Sequence, residues 1–403
     1  MKSRWLNYAF VNLLIVATIG VILRYKITFS LPWIDQKHLL HGHSHFAFSG
    51  WISHSLLCLL TAHLAAIKGK EIWKKYQLII IANLITAYGM LISFPMQGYG
   101  AWSISFSTLS IVTSYLFALK YWKDLSSNSA GNISGFCFKS ALIFNLLSSI
   151  GTFALAGMMI TKTIHQNWYL AAVYFFLHFQ YNGWFFFTLL GLFIAKIEVF
   201  QMLIPTLKLI FWSFAFACIP AYVLSALWLP MHWSIYVLVV LSAFLQFYGW
   251  IKMVVLIKKN YTIIKELFPP KTRWLFLFSG IALSIKLLLQ LGSTIPSLSQ
   301  LAFGFRPIVI GYLHLVLLGM VSIFLIGYLV TFHLLSISNQ LLFGIKIFVT
   351  GIIINELLLM LQGVAALSYA NIPFIDIGLL LAALWLFIGI MMINFSLRKV
   401  TII

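Results

Sequence analysis

Apolar residues run along this chain in stretches of about twenty, broken by short polar segments, from one end to the other. The runs fall at 8–25, 39–67, 77–97, 101–122, 138–160, 168–195, 207–229, 233–257, 273–291, 308–334, 342–367 and 374–396. Each is long enough, as a helix, to cross a hydrocarbon core roughly 30 Å thick. The pattern therefore predicts an all-α integral membrane protein with twelve transmembrane helices, residues 1–403 forming a single membrane domain. The first run follows Met-Lys-Ser-Arg without a small-residue cleavage site, so it reads as a retained helix and not a signal peptide.

A repeat is superimposed on these runs. His45-Phe-Ala-Phe-Ser-Gly50-Trp51, His178-Phe-Gln-Tyr-Asn-Gly183-Trp184 and His314-Leu-Val-Leu-Leu-Gly319-Met320 each place a glycine five positions after a histidine and a large residue next. The three histidines are 133 and 136 residues apart, close to four spans each time. Such a period predicts three four-helix arcs related by a pseudo-threefold axis, with spans 2, 6 and 10 in equivalent places. Gly249-Trp250 in span 8 lacks the histidine, so the Gly-Trp pair alone is weak evidence and the histidine carries the repeat.

Composition agrees with a membrane chain and adds an orientation. Hydrophobic residues make up 62% of the 403, charged residues only 8%, and mean hydropathy is +1.01. The net charge of +19 would in a soluble protein suggest nucleic acid; here the basic residues sit in loops and at membrane surfaces, and no nucleic-acid partner is expected. They gather before span 1 (Lys2, Arg4), after span 2 (Lys68, Lys70, Lys74, Lys75), after span 8 (Lys258, Lys259, Lys265, Lys271, Arg273) and at the end (Arg398, Lys399). The positive-inside rule then puts both termini in the cytoplasm, with spans 2, 6 and 10 entering from outside; a bacterial inner membrane is the expected location. The three cysteines, Cys58, Cys137 and Cys218, have neither metal nor disulfide spacing.

Histidine is the residue type that apolar surroundings do not explain. An imidazole in hydrocarbon is costly unless paired, so each intramembrane histidine marks either an interhelical hydrogen bond or a functional site. His38, His165 and His333 lie at span ends and read as solvated. His54 and His63 lie deeper in span 2; helical geometry puts His63 on the face of His45, and His54 on that of His43, with a neighbouring helix as the bland partner. His45, His178 and His314 are equivalent by the repeat and lie in the outer halves of their helices. Neutral imidazole is the common protein ligand of haem iron and of copper, and histidines on facing helices can clamp a haem; three interhelical hydrogen bonds are the alternative.

These stretches resemble those of the haem–copper oxidase superfamily, in its twelve-helix subunit I, and of its divergent nitric-oxide-reductase-like and nitric-oxide-response members. The likeness is topological over most of the chain and confined to short helical motifs in sequence. His43-x-His45-x4-Gly50-Trp51 is similar to the helix-2 motif, and Tyr312-Leu313-His314 with its small and apolar followers to the helix-10 motif. The resemblance implies a b-type haem held between His314 and one of His41, His43 and His45: His45 fits the repeat, His43 the divergent motif, and His41-Gly42 the ordinary oxidase motif. It also implies a copper site at His178, His232 and Met231; Arg306 and Arg24, whose guanidinium forks match carboxylates, are candidates to pair with the propionates, interfacial snorkelling being the alternative. Implied partners are the lipid bilayer, a cytochrome c or quinol donor and oxidase-like subunits; the implied activity is an oxidoreductase acting on O2 or NO. Three departures bear on that activity. Tyr312 stands where the family has the proximal ligand of its catalytic haem, Met231-His232 where it has paired histidines, and Asn182 where nitric-oxide reductases have a glutamate.

Seven acidic residues leave little for a proton channel; Glu356, beside Asn355, is the clear intramembrane carboxylate, either carrying protons or hydrogen-bonded to Asn355. No GxGxxG, P-loop, nucleophile elbow or CxxCH is present, so nucleotide and covalent c-type haem sites find no support. The rival from another class is a cofactor-free twelve-span proton-coupled transporter. Transporters of that kind carry helices broken at mid-membrane, and of Pro205, Pro220, Pro230, Pro269 and Pro270 only Pro220 interrupts a span.

Overall fold

The computed structural model describes residues 3–126, 132–163, 165–299, 305–334 and 337–397. Lys2, Arg398 and Lys399, used above to orient the termini, lie outside them. In chain order the helices are α1 (Ser3–Thr28), α2 (Gln36–Phe46), α3 (His54–Lys68), α4 (Ile72–Gln97), α5 (Ala101–Ser126), α6 (Ile133–Ile160), α7 (Gln166–His178) and α8 (Phe186–Ile197). They continue as α9 (Ile204–Cys218), α10 (Trp233–Lys259), the single turn α11 (Tyr261–Ile264), α12 (Pro270–Gly292), α13 (Arg306–His314), α14 (Ile323–His333), α15 (Asn339–Leu367) and α16 (Ile375–Leu397). Three π-helical segments are inserted between collinear helices: π1 (Ala47–Ser53), π2 (Phe179–Phe185) and π3 (Leu315–Ser322).

Eleven stretches of the described residues are long and apolar enough to cross a membrane, and eleven of the twelve expected runs fall on them. The remaining run, 168–195, is helical throughout, from Gln166 to Ile197, but His178, Gln180 and Asn182 dilute its middle. One boundary differs. The run 207–229 is α-helical only as far as Cys218 and continues as a 3-10 turn, Pro220–Ala226. Pro220 has no N–H to give, and its ring clashes with the carbonyl four residues back, so the α-helix stops before it.

The chain divides into two compact units. One comprises Met1–Tyr121 and Leu325–Ile403, the other Trp122–Phe324. In the first, α15 packs along α16, α16 along α1, and α2 against α4. Asn394 ties α16 to α1 by donating to the Phe10 carbonyl at 3.0 Å. In the second, α6 packs on α7, π2 and α8, while α10 packs on α9 and α12, and π2 touches π3. Polar side chains inside both units return to helix carbonyls, as Thr61 does to Leu57 (2.7 Å) and Thr188 to Trp184 (2.7 Å), because no water is at hand to pair them.

Candidate functional site

The repeat read from the sequence has a local structural counterpart. Each π segment begins at or just after the repeat histidine: His45 ends α2 but one, His178 ends α7 and His314 ends α13. Each contains the glycine and the large residue, and Trp51, Trp184 and Met320 are all buried. A π turn inserts one residue and releases backbone carbonyls from their usual donors, and such turns concentrate at functional sites. Side chains from neighbouring helices take up the released groups. Asn12 of α1 donates to the Gly50 carbonyl (2.5 Å) and Asn83 of α4 to the Ser49 carbonyl (3.2 Å). Cys218 of α9 donates to the Asn182 carbonyl (3.8 Å), and Ser279 of α12 to the Met320 carbonyl (2.8 Å). Ser49 and Asn182 are equivalent, four residues after their histidines, and both carbonyls are captured. Gly183 is needed for close packing here, since a Cβ on it would lie 2.4 Å from the Phe144 Cβ of α6.

The His41/His43/His45 cluster splits by face, as the helical spacing predicts. His45 stacks on Phe94 with ring centroids 4.3 Å apart and an interplanar angle of 17°, and His41 meets Tyr99 edge-on at 4.7 Å. Both belong to the face turned to the end of α4. His43 turns to α1, where it hydrogen-bonds the Val16 carbonyl and lies next to Gly20. His54 meets α1 as well, with Nε2 at 3.3 Å from the Trp5 carbonyl and its ring edge-on to Trp5. The expected common face of His43 and His54 is thus present, and His54 has the interhelical hydrogen bond of the bland reading.

The fit to a haem iron differs among the three. The ring of His45 is half-buried and makes no hydrogen bond among the described residues, so both nitrogens are open to a ligand. His43 has one nitrogen committed to Val16, which leaves Nδ1 buried and without a hydrogen bond. That also suits a metal ligand, since ligating histidines commonly donate their other N–H to a backbone carbonyl. His41 Nε2 is buried without a hydrogen bond as well. Arg24 of α1 sits near His43 and Glu356. Glu356 accepts from Asn355 Nδ2 at 3.0 Å, the hydrogen bond named above as one of its two alternatives.

In the other unit, His178 is fully buried and both ring nitrogens are engaged. Nε2 lies 2.8 Å from the Cys218 carbonyl and Nδ1 3.0 Å from Asn182 Nδ2. Copper at His178 would have to displace one of these bonds. His232 is exposed at the start of α10, where Nδ1 is 2.8 Å from the Ser234 hydroxyl, and Met231 beside it is half-buried. Of the three residues expected to hold copper, His178 thus has both ring nitrogens engaged and His232 has one. Among the described residues no three histidine, cysteine or carboxylate side chains gather into a metal-holding group. His314 is half-buried at the end of α13. Tyr312, two residues earlier, shares a phenol–phenol hydrogen bond with Tyr181 of π2, their rings 6.2 Å apart. Arg306 is exposed at the first position of α13.

Sequence reasoning missed two groups. Asn12 and Asn83 look like ordinary polar interruptions of spans 1 and 3, and only the π turn gives them their role. Lys286 is a cation within span 9 and is buried, 4% exposed; hydropathy over a whole helix absorbs one lysine, although a charge at that depth was a usable signal. No protein-family model matches this chain, and no curated protein matches it either.

Proposed function

We propose that this is a haem-binding redox protein of the bacterial cytoplasmic membrane, with a b-type haem held by bis-histidine ligation. His45 is our first choice of axial ligand and His314 its partner by the oxidase-like motif; His41 and His43 are the alternatives on α2. The observation that carries the reading is His45 itself. An intramembrane imidazole is held flat against Phe94, beside a π turn, with no hydrogen bond to either nitrogen among the described residues. An imidazole serving only to join helices would have a partner, as His54 and His178 do. Bound haem would supply a one-electron carrier, and the chain would supply its ligands and an apolar wall.

The same reading takes Gln166–Ile197 as a twelfth span, arranges the spans in three four-helix arcs, and puts both termini in the cytoplasm. Turnover of O2 or NO, copper, a cytochrome c or quinol donor and oxidase-like subunits rest on the sequence resemblance alone. A cofactor-free proton-coupled transporter is the second reading, favoured by buried Lys286 and by Glu356. An absorption spectrum of the purified protein, oxidised and dithionite-reduced, separates the two. A Soret band with sharp α and β bands, lost in both His45→Ala and His314→Ala, is the expected result. A colourless wild-type protein from haem-replete cells rejects it.

A further inference from the structure

Lys286 of α12 is buried, and among the described residues it has no carboxylate near it and forms no ion pair. It shares a cavity of about 10 Å³ with Asn182 of π2, Gln246 of α10 and Cys218 of α9, which Phe186, Phe187 and Phe214 also line. Lys286, Asn182 and Gln246 are 4%, 5% and 3% exposed, so three polar side chains from three helices face one small space inside an apolar wall. An ammonium in such a place is very costly unless something solvates it.

The hydrogen bonds around His178 decide what that something is. The Cys218 carbonyl can only accept, so His178 Nε2, at 2.8 Å from it, carries the ring proton. Nδ1 is therefore bare and accepts from Asn182 Nδ2 at 3.0 Å. This fixes the Asn182 amide, and its Oδ1 is left buried with no hydrogen bond. The unmet atom is thus an acceptor. An anion would be drawn to Lys286 but repelled by Oδ1, whereas a water can accept from the ammonium and donate to the amide. The cavity is roughly the size that one water requires.

We infer that Lys286, Asn182 and Gln246 form a binding site for a single internal water, which bridges the lysine ammonium to Asn182 Oδ1. Through Asn182 the site is joined to His178, so the charge, the π2 turn and the histidine form one connected polar unit. The inference stands apart from the haem proposal, since none of its residues is offered as an iron ligand.

The test is infrared spectroscopy of the full-length protein in lipid, comparing ordinary with heavy-oxygen water. A sharp O–H stretching band that moves with the isotope is expected in the wild type. It should be lost in Lys286→Met, which keeps an unbranched apolar stem without the amine, and independently in Gln246→Leu. Exchanging chloride for bromide should leave the band unmoved. A wild type without the band, a band that survives both substitutions, or one that moves with the halide overturns the assignment. The halide and isotope comparisons need no variant, so they hold even if a substitution prevents folding.

Discussion

His45 and Phe94 lie face to face, 4.3 Å between ring centroids and 17° from parallel, which fixes the imidazole plane from the side of α4. Neither ring nitrogen is drawn into a hydrogen bond among the described residues, so the edge of the ring is both oriented and available. Two residues earlier on the same helix, His43 uses one nitrogen on the α1 backbone. The same short motif thus yields one imidazole anchored by stacking and another anchored by a hydrogen bond. Stacking costs His45 nothing as a ligand.

That difference predicts an order of effects on haem content. His45→Ala should abolish the haem spectrum of the purified protein. Phe94→Ala removes only the wall, and ring pairs of this kind are worth about 0.5–1.5 kcal/mol. It should lower haem affinity by roughly tenfold or less and leave the band positions of the remaining holoprotein near those of the wild type. Haem-to-protein ratios across a haem titration measure both. Equal loss in the two variants would mean that Phe94 supports the fold and not the ligand.

Asn12 is expected to hold π1 in shape. It donates to the buried Gly50 carbonyl and accepts from the half-buried Tyr88 hydroxyl at 2.6 Å, so Asn12→Leu strands two polar groups at once. Each stranded group costs about 1–3 kcal/mol, while the volume of the side chain is nearly kept. The variant should unfold several degrees below the wild type in detergent, followed by thermal circular dichroism. An unchanged midpoint would show that the π turn keeps its carbonyl paired in some other way.

The helices were legible because bilayer crossing imposes one rule, an apolar run of sufficient length, and the chain obeys it at 8–25 as at 374–396. The His-x4-Gly repeat was legible too, but not its meaning. A π turn leaves no periodicity signal, because it adds a single residue to an otherwise continuous apolar run. Its supporting side chains, Asn12, Asn83, Ser279 and Cys218, come from other helices and are tied to it only by folding. The split of His41 and His45 from His43 followed from 100° per residue, since no π turn intervenes between them. The engagement of both His178 nitrogens was hidden, for the Cys218 carbonyl is backbone and has no signature in a sequence.

Gly183 should resist any side chain. An added Cβ would stand 2.4 Å from the Phe144 Cβ, and both atoms are held by helix backbones and cannot swing aside. Overpacking of this sort costs about 1–3 kcal/mol. Gly157, on the same α6 that carries Phe144, would meet nothing within 4 Å, so Gly157→Ala should be neutral or slightly stabilising through helix propensity. Unfolding midpoints of Gly183→Ala and Gly157→Ala should move in opposite directions, or the second not at all. A loss in Gly157→Ala as large as in Gly183→Ala would contradict the packing account.

Asp35 gives a pH-dependent prediction outside the membrane. It precedes α2 as its N-cap, accepting from the His38 amide at 2.8 Å, and that hydrogen bond holds its carboxyl below the ordinary value of 3.8. The folded form therefore prefers the carboxylate. Its contribution to the start of α2 is complete above the ordinary value and is lost as pH falls through the lowered, folded one. Amide hydrogen exchange at His38, read as protection relative to a neighbouring helix, is the local measure. In the wild type, protection should hold at neutral pH and decline only in the acid range below 3.8. Asp35→Ala should show low protection at every pH, and Asp35→Asn, which caps without a charge, should show protection that does not change with pH. A wild-type profile that declines near neutrality would assign the titration to a group other than Asp35.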